Sequence, residues 1–289
     1  MPLFLTRRSA ILSLLAAAAT ATSVRAAQPI IDEIAQLEKR GGGRLGVGIL
    51  DSATGALIAH RGDELFPMCS TFKLLAAGFV LQRVDMGEES LDSIVRYGTS
   101  DLVANSPFTE KYAGGNGVSV GQLCKAAVTL SDNAASNLLL ARLGGPAGLT
   151  AFLRQIGDPV TRLDRIEPEM SSATPGDPRD TTSPNAMART MQQLLFGDVL
   201  STASKDQLAR WLLENETGAT RLRAGLPANW RIGDKTGASR NGVTNDIAFV
   251  QKPGGTPLII TVYLAESGLD TSGRHATIAD VARAVVSHF

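Results

Sequence analysis

The sequence of 289 residues contains little histidine and cysteine, the side chains that most often bind zinc and supply catalytic bases. The three histidines and two cysteines are far apart: His60, His275, His288, Cys69 and Cys124. A zinc site needs cysteine and histidine in close pairs at fixed spacing, so the sequence predicts no metal and no other cofactor. With so few histidines, nucleophilic catalysis is expected to use something other than a Ser–His–Asp triad.

The sequence also lacks net charge, because 28 lysines and arginines balance 28 aspartates and glutamates. No run of five like charges, internal repeat or low-complexity segment occurs. A nucleic-acid binder normally carries an excess of basic residues, so this class of partner is excluded. Apolar residues, in contrast, make up 44% of the sequence, which is enough for a substantial core and argues against disorder of the whole chain.

Residues 1–26 are expected to be an export signal that is removed. Arg7 and Arg8 precede a short apolar stretch at residues 11–19, and small residues at 24–26 suit a cleavage site. The apolar stretch is much shorter than the ~20 residues that cross a bilayer, so no membrane span is predicted. The paired arginines favour the twin-arginine route, with an ordinary secretory signal as the alternative. Either route predicts a periplasmic or secreted protein that becomes mildly acidic once the signal has gone.

The spacing of apolar residues predicts both helices and strands. Helical spacing runs through residues 30–37 and 278–285, and most of residues 70–226 share it. Alternating apolar residues predict five strands, at residues 45–49, 57–60, 230–236, 244–251 and 258–264. We therefore predict an α+β fold: a five-stranded antiparallel sheet with N- and C-terminal helices packed on it, and an all-helical domain inserted between strands 2 and 3.

Two domains follow from this arrangement, and a long loop interrupts the second. A discontinuous α/β domain is predicted from residues 27–69 and 227–289, and an all-helical domain from residues 70–226. Within the latter, Asp158–Pro184 contains five prolines and little periodicity. A loop this long in a compact domain is usually functional or disordered, and we expect an omega-type loop over residues 162–180.

The first chemical motif is Ser70-Thr71-Phe72-Lys73, at the start of the predicted helical domain. Residues three apart share a helix face, so Lys73 can reach the Ser70 hydroxyl and activate it, provided that burial and neighbouring positive charge lower its pKa. The helix N-terminus also offers backbone N–H groups to developing negative charge. Taken alone the pattern is weak, because about one chance Ser-x-x-Lys is expected in a chain of this length.

Two tripeptides strengthen the signal: Ser131-Asp132-Asn133 and Lys235-Thr236-Gly237. Together with the first motif, in this order, they resemble the motif set of class A serine β-lactamases, members of the penicillin-recognising serine enzyme superfamily. The resemblance extends over essentially all of the chain after the signal. It implies an enzyme that hydrolyses the β-lactam ring of penicillins and cephalosporins through a Ser70 acyl-enzyme, and that confers resistance to these antibiotics.

The resemblance implies catalytic roles for four residues. Ser70 would be the acylated nucleophile and Lys73 its proton partner. Ser131 would pass a proton to the leaving β-lactam nitrogen. Glu167 would activate the water that hydrolyses the acyl-enzyme, and whether Glu167 or Lys73 is the base for acylation stays open. The other acids of the loop are expected to be solvated surface: Asp164, Glu169 and Asp177.

The resemblance also implies a substrate-binding set. Lys235 and Thr236 would hold the substrate carboxylate, and Arg221 matches the position of a second carboxylate cation. The backbone N–H groups of Ser70 and Ala238 would form the oxyanion hole. The remaining residues implied are Gly237 within the third motif, Asn133 on the amide side chain of the substrate, and an Arg165–Asp180 ion pair that closes the loop and places Glu167.

The sequence departs from the family pattern at two places beside the substrate. Ser171 stands where an asparagine usually helps to hold the deacylating water, so deacylation could be slower or use a shifted water. Asn105 replaces a common aromatic wall, which should weaken apolar contact and widen the opening of the site. Two further departures concern thiols, because Ser239 and Ala77 stand where the family's disulfide partners of Cys69 and Cys124 would be. From the residues alone, a disulfide between Cys69 and Cys124 and two free thiols are both possible. The resemblance favours two free thiols.

The alternative function is a D,D-peptidase or penicillin-binding protein, which shares the three motifs and is acylated but deacylates slowly. Such sites normally lack a counterpart of Glu167, so its presence favours the hydrolase. The partners expected are small-molecule β-lactams, with a monomer as the default. Penicillins and cephalosporins are implied as a class, while late cephalosporins, carbapenems and inhibitor sensitivity stay open.

Overall fold

The computed structural model describes residues 28–289, so the predicted export signal lies outside the described residues. The strands, in chain order, are β1 (Arg44–Asp51), β2 (Leu57–His60), β3 (Phe66–Pro67), β4 (Ile94–Val95), β5 (Val118–Ser119), β6 (Thr181–Thr182), β7 (Arg231–Ala238), β8 (Thr244–Gln251) and β9 (Leu258–Ala265). The α-helices are α1 (residues 28–41), α2 (Phe72–Asp85), α3 (Val120–Thr129), α4 (Asn133–Arg142), α5 (Gly145–Gln155), α6 (Pro184–Leu195), α7 (Thr202–Leu213), α8 (Leu222–Gly225) and α9 (Thr271–His288).

Five strands form one antiparallel sheet in the order β2-β1-β9-β8-β7. The sheet is assembled from both ends of the described chain, because β1 pairs along its whole length with β9. The predicted α+β class and five-stranded sheet are confirmed. β7 is two residues longer at its end than predicted, which places Gly237 and Ala238 in the edge strand of the sheet.

The two faces of the sheet bury different sets of helices. Ile34 of α1 and Val281 of α9 pack with Val47 of β1 in one apolar cluster. Leu50 of β1 belongs to a second cluster built around α2, since neighbouring strand residues point to opposite faces. α2 is buried on all sides over its first turns (residues 72–78), as expected for a helix that is apolar around its circumference. This central helix begins two residues after Ser70.

The segment between β2 and β7 is mostly but not purely helical, which corrects the all-helical prediction. β3 pairs with β6, and β4 pairs with β5, each over two residues. Pairs this short leave no alternation in the sequence, so periodicity could not reveal them. The β3–β6 pair connects the chain before Ser70 to the end of the proline-rich loop. The boundaries of the two predicted domains stay a prediction.

Both cysteines are free and fully buried, Cys69 just before α2 and Cys124 on α3. Burial raises the pKa of each thiol above its usual range. Both side chains are therefore neutral thiols that pack as small apolar residues. None of the helices within residues 28–289 combines the length and the apolar character that crossing a bilayer requires.

Candidate active site

A cavity of about 620 Å³ opens between the end of β7, the start of α4 and the proline-rich loop. Its walls combine residues from sequence positions more than 130 apart, brought together by the sheet edge and the loop. Six of the predicted site residues line it: Ser70, Asn105, Asn133, Glu167, Ser171 and Ala238. The other predicted residues do not line it and are described in turn below.

Ser70 lies in a single 3₁₀ turn, Cys69–Thr71, that runs directly into α2. The chain before it is held by β8, because the Asn245 side-chain amide donates to the carbonyls of Pro67 at 2.9 Å and Met68 at 3.0 Å. The Thr71 hydroxyl also donates to Met68 O at 2.9 Å. The Ser70 backbone is thus fixed by contacts on both sides, at the start of a helix as predicted.

The Lys73 ammonium is fully buried one turn further along α2. It donates to Ser131 O at 2.8 Å and to Asn133 Oδ1 at 2.5 Å, and lies 3.5 Å from Glu167 Oε1. Burial lowers the pKa of Lys73 to about 8, although the Glu167 carboxylate opposes this shift. We expected burial and neighbouring positive charge to lower this pKa: burial is the largest cause, and Lys235 is a second buried cation nearby, across the Ser131 hydroxyl.

The Ser70 hydroxyl donates to Glu167 Oε1 at 3.3 Å. Among the described residues, Glu167 is the hydrogen-bond partner of the Ser70 hydroxyl. Lys73 Nζ was predicted to reach Ser70, but it lies beside the same Glu167 oxygen instead. Both candidate bases therefore lie on one path, Ser70 to Glu167 to Lys73. Glu167 makes the direct contact with the nucleophile, and its side chain is only 1% exposed.

Three hydrogen bonds from two neighbouring side chains hold Glu167 in place. The Asn137 side chain accepts from Glu167 N at 3.0 Å and donates to Glu167 O at 2.8 Å. The Ser171 hydroxyl donates to Glu167 Oε2 at 2.8 Å. Sequence reasoning missed Asn137, although it follows Asn133 by four residues on α4 and so shares its helix face.

The proline-rich loop is closed at its base by Arg165 and Asp180. Arg165 Nε lies 2.6 Å from Asp180 Oδ2, and Asp180 Oδ1 accepts from the backbone N–H groups of Asp164 at 2.7 Å and Arg165 at 3.0 Å. The expected ion pair is therefore present, with an almost fully buried carboxylate. Two of the loop acids expected to be free surface are instead ion-paired, Asp164 with Arg162 and Asp177 with Arg179; Glu169 is exposed.

Ser131 lies between α3 and α4 with a φ of +57°, an uncommon conformation for a residue other than glycine. Its hydroxyl lies 3.1 Å from Lys235 Nζ and 3.4 Å from Lys73 Nζ, between two buried ammonium groups. Burial, with the charges of Lys73 and Arg221, lowers the pKa of Lys235 well below its usual value. A hydroxyl in this position can exchange protons with either lysine.

Asp132, the middle residue of the second motif, caps α4 by accepting from Ala135 N at 2.8 Å. It also accepts from the backbone N–H groups of Phe108 and Thr109, both at 2.9 Å. This fixes the loop that carries Asn105, whose amide donates back to Ser131 O at 3.1 Å. Sequence reasoning assigned no role to Asp132, although an aspartate before a helix is a strong cap signal.

The third motif lies on edge strand β7. Lys235 Nζ donates to Thr236 O at 2.9 Å, and the Thr236 and Thr217 hydroxyls are 2.5 Å apart. A Cβ at Gly237 would lie 2.7 Å from Met68 O, so this glycine allows β7 to pack against the chain leading to Ser70. Gly237 was predicted among the substrate-binding residues; its backbone and its small size are what these contacts use.

Arg221 is buried beside β7 and β8 and does not line the cavity. Its Nη1 donates to Gly237 O at 2.9 Å and to Asn245 O at 2.6 Å. Its predicted contact with a substrate carboxylate stays a prediction. Asp234, which sequence reasoning missed, is also fully buried on β7 and pairs with Arg223 and Asn215.

The histidines lie outside the cavity. His60 is 3.0 Å from a Glu38 carboxylate oxygen, and His275 Nδ1 is 2.8 Å from the Thr220 hydroxyl. His288 contacts the carbonyl of Ala284 at 2.8 Å near the end of α9. Across the described part of the chain, no cluster of three or more histidine, cysteine, aspartate or glutamate side chains is suited to hold a metal ion.

Known proteins are similar to this chain in both sequence and fold. The model of the β-lactamase enzyme family matches residues 29–289. The β-lactamase AST-1 of Nocardia asteroides is 47% identical over 252 residues, covering 87% of this chain and 81% of its own. The β-lactamase L2 of Stenotrophomonas maltophilia is 46% identical over 277 residues, covering 94% of this chain and 91% of its own. The solved structure of the ancestral class A β-lactamase GNCA is 62% identical, with a TM-score of 0.89, covering 90% of this chain and 100% of its own. The chain belongs to the β-lactamase enzyme family and is a member of its class A.

Proposed function

We propose that the protein hydrolyses the β-lactam ring of penicillins and cephalosporins through an acyl-enzyme on Ser70, and thereby confers resistance to these antibiotics. The main support for this proposal is the geometry around Glu167. Ser70 Oγ lies 3.3 Å and Lys73 Nζ 3.5 Å from the same carboxylate oxygen, Glu167 Oε1, in the wall of a cavity. A nucleophile and its proton acceptor are thus in contact where a substrate can reach them.

In acylation, Ser70 Oγ attacks the ring carbonyl carbon and its proton passes to Glu167. The new C–O bond places negative charge on the carbonyl oxygen, which the N–H groups of Ser70 and Ala238 would stabilise by about 3 kcal/mol each. When the C–N bond breaks, the Ser131 hydroxyl gives its proton to the departing nitrogen and regains one from Lys73. Glu167 then passes the proton that it took from Ser70 to Lys73, so that both residues regain their starting protonation states.

In deacylation, a water attacks the acyl carbonyl and Glu167 takes its proton. The C–O bond to Ser70 then breaks, and Ser70 recovers a proton from Glu167. The Ser171 hydroxyl bound to Glu167 Oε2 orients the carboxylate for this second use. Because Glu167 acts in both halves, the Asn137 clamp on its backbone supports turnover as well as acylation.

The substrate carboxylate would be held by Lys235 and Thr236, which follow one another on β7. Asn133 would bond the amide side chain of the drug; its own amide is oriented by Ala104 O at 2.9 Å. Asn105, tied back to Ser131, would leave the opening beside the substrate without an aromatic wall. Arg221 lies behind these residues and bonds the backbone carbonyls of Gly237 and Asn245.

The proposal is tested by turnover of a chromogenic cephalosporin by the purified protein, with and without a chelator. We expect many turnovers, unchanged by chelation. Substituting Glu167→Ala should slow formation of the Ser70 adduct and leave the adduct stable once it has formed, as seen by mass spectrometry over time, and Ser70→Ala should form none. A single stoichiometric burst from the unaltered protein, with a stable adduct, would instead indicate a D,D-peptidase or penicillin-binding protein.

We further propose that residues 1–26 direct export to the periplasm or medium, by the twin-arginine route, and that the protein works as a monomer. The motif and apolar stretch at the N-terminus support export. N-terminal sequencing of the protein from a periplasmic fraction should begin near residue 27, and replacing Arg7 and Arg8 by lysines should retain the chain in the cytoplasm. Light scattering should give the mass of one chain.

A further inference from the structure

Arg221 is fixed against the strand that carries one of the proposed oxyanion donors. Its Nη1 bonds two carbonyls, Gly237 O at 2.9 Å and Asn245 O at 2.6 Å. On the other side, its Nε faces His275 Nε2 at 3.4 Å, and His275 is bonded in turn to Thr220 at 2.8 Å. The arginine is only 7% exposed. Its guanidinium is therefore held in one orientation, on backbone oxygens.

The carbonyl of Gly237 and the N–H of Ala238 belong to one peptide group. The cis peptide found within residues 28–289 is Glu167–Pro168, so the Gly237–Ala238 peptide is trans, and its C=O and N–H point in opposite directions. Ser239 N donates to Val243 O at 3.0 Å across the ladder, so Ala238, one residue earlier, directs its N–H away from β8. β7 is the edge strand, and Ala238 shares the cavity wall with Ser70. Fixing the carbonyl therefore fixes the direction of the N–H.

Asn245 connects this contact to the second donor. Its carbonyl accepts from Arg221, while its side-chain amide donates to Met68 O at 3.0 Å, two residues before Ser70. Arg221 and Asn245 thus hold both backbone segments that supply the oxyanion donors. Their relative position sets the spacing between the N–H groups of Ser70 and Ala238.

We propose that Arg221 is a positioning residue that acts through the Gly237–Ala238 peptide and aims the Ala238 N–H at the developing oxyanion. This inference rests on the proposed function. A cation bonded to the carbonyl also polarises the peptide, which makes its N–H a stronger donor in a buried setting. The role differs from direct binding of the substrate carboxylate, because it affects any ligand that places an oxyanion between the two donors.

Benzeneboronic acid separates the two roles, because it carries no carboxylate. Its boron bonds to Ser70 Oγ, the serine proton passes to Glu167, and the resulting anionic boronate presents oxygen to the donors. The inhibition constant for this probe is measured in the full-length protein and in Arg221→Met. Arg274→Met is the matched control, since Arg274 is a neighbouring guanidinium that donates to the Thr244 hydroxyl at 3.1 Å and has no bond to Gly237.

We expect the inhibition constant to rise on the order of tenfold in Arg221→Met, since complete loss of an oxyanion donor costs about 10²–10³ in rate. The single-turnover acylation rate with benzylpenicillin should fall by a similar factor, with both values unchanged in Arg274→Met. An inhibition constant within twofold of the unaltered protein, together with a raised KM for benzylpenicillin, would overturn the proposal in favour of carboxylate binding.

Arg221→Lys provides a second test should Arg221→Met fail to fold. It keeps the charge, but it has no counterpart of the Nε group that faces His275, so its cation is not held in orientation from that side. Weaker boronate binding is again expected, and unchanged binding contradicts the proposal. Absence of turnover in the unaltered protein is a different result, and refutes the proposed function instead.

Discussion

Asn137 binds both backbone groups of Glu167, accepting from its N–H at 3.0 Å and donating to its carbonyl at 2.8 Å. This pair of bonds attaches the proline-rich loop to α4 at the residue whose carboxylate faces Ser70. A side chain that touches no part of the proposed substrate therefore determines where the proposed base lies.

The first prediction concerns this clamp. Asn137→Ala should lower kcat roughly 10- to 100-fold, because displacing a catalytic group by about 1 Å costs rate on that scale. Asn137→Asp retains the acceptor and loses the donor, so its loss should be smaller. Stopped-flow hydrolysis of a chromogenic cephalosporin measures both variants. Equal kcat in the alanine variant and the unaltered protein would show that the loop is positioned without Asn137.

The second prediction is an alkaline limb in the pH profile of kcat/KM. Burial places the pKa of Lys73 at about 8, below its usual value, so the lysine is protonated below pH 8 and loses its proton above it. If Glu167 takes the Ser70 proton and Lys73 supplies Ser131, kcat/KM should fall as the pH rises through 8. A rise over the same interval would identify neutral Lys73 as the base.

Lys235 could contribute to the same limb, because burial also lowers its pKa. Lys235→Arg keeps the cation without a titration in this range, since arginine stays protonated. An alkaline limb near pH 8 that persists in Lys235→Arg belongs to Lys73. Its disappearance in that variant would assign the limb to Lys235.

The third prediction concerns Ser171, which stands where the family usually has asparagine. Its hydroxyl donates to the Glu167 carboxylate, a bond to a charged group of about 1.5–3 kcal/mol. Ser171→Ala should therefore slow deacylation at least tenfold, with acyl-enzyme accumulating in pre-steady-state mass spectrometry. Ser171→Asn should deacylate at least as fast as the unaltered protein. A slower Ser171→Asn would mean that this site has adapted to serine.

The fourth prediction concerns the base of the loop. Asp180 accepts two backbone N–H groups as well as the Arg165 guanidinium, and it is 1% exposed. Asp180→Ala should lower the free energy of unfolding by about 3 kcal/mol, since it leaves buried partners unpaired. Urea denaturation measures this change. Arg179→Ala, at an exposed pair in the same loop, is the control and should change stability by less than about 1 kcal/mol.

The sequence predicted the fold well where apolar spacing was regular. β2 and β8 lie at the predicted residues, although β8 is buried along nearly its whole length rather than on one face. The two-residue pairs β3–β6 and β4–β5 left none, and the extension of β7 to Ala238 was missed because Gly237 and Ala238 contribute no apolar periodicity. Both depend on which segments the folded chain brings side by side.

The sequence by itself determined the family, through three short motifs in order, and with it the identities of Ser70, Lys73, Ser131 and Glu167 as candidates. Only the tertiary structure decided that Ser70 contacts Glu167 rather than Lys73, that Asn137 holds Glu167, and that Arg221 bonds the backbone of β7. The physical reason is that motifs record which chemical groups are present, whereas hydrogen-bond partners depend on distances between elements far apart in the chain. The scarcity of histidine agrees with this site, which is built from hydroxyls, two buried ammonium groups and one buried carboxylate. The chemical properties of these groups come from their burial and their neighbours, which only the folded chain provides.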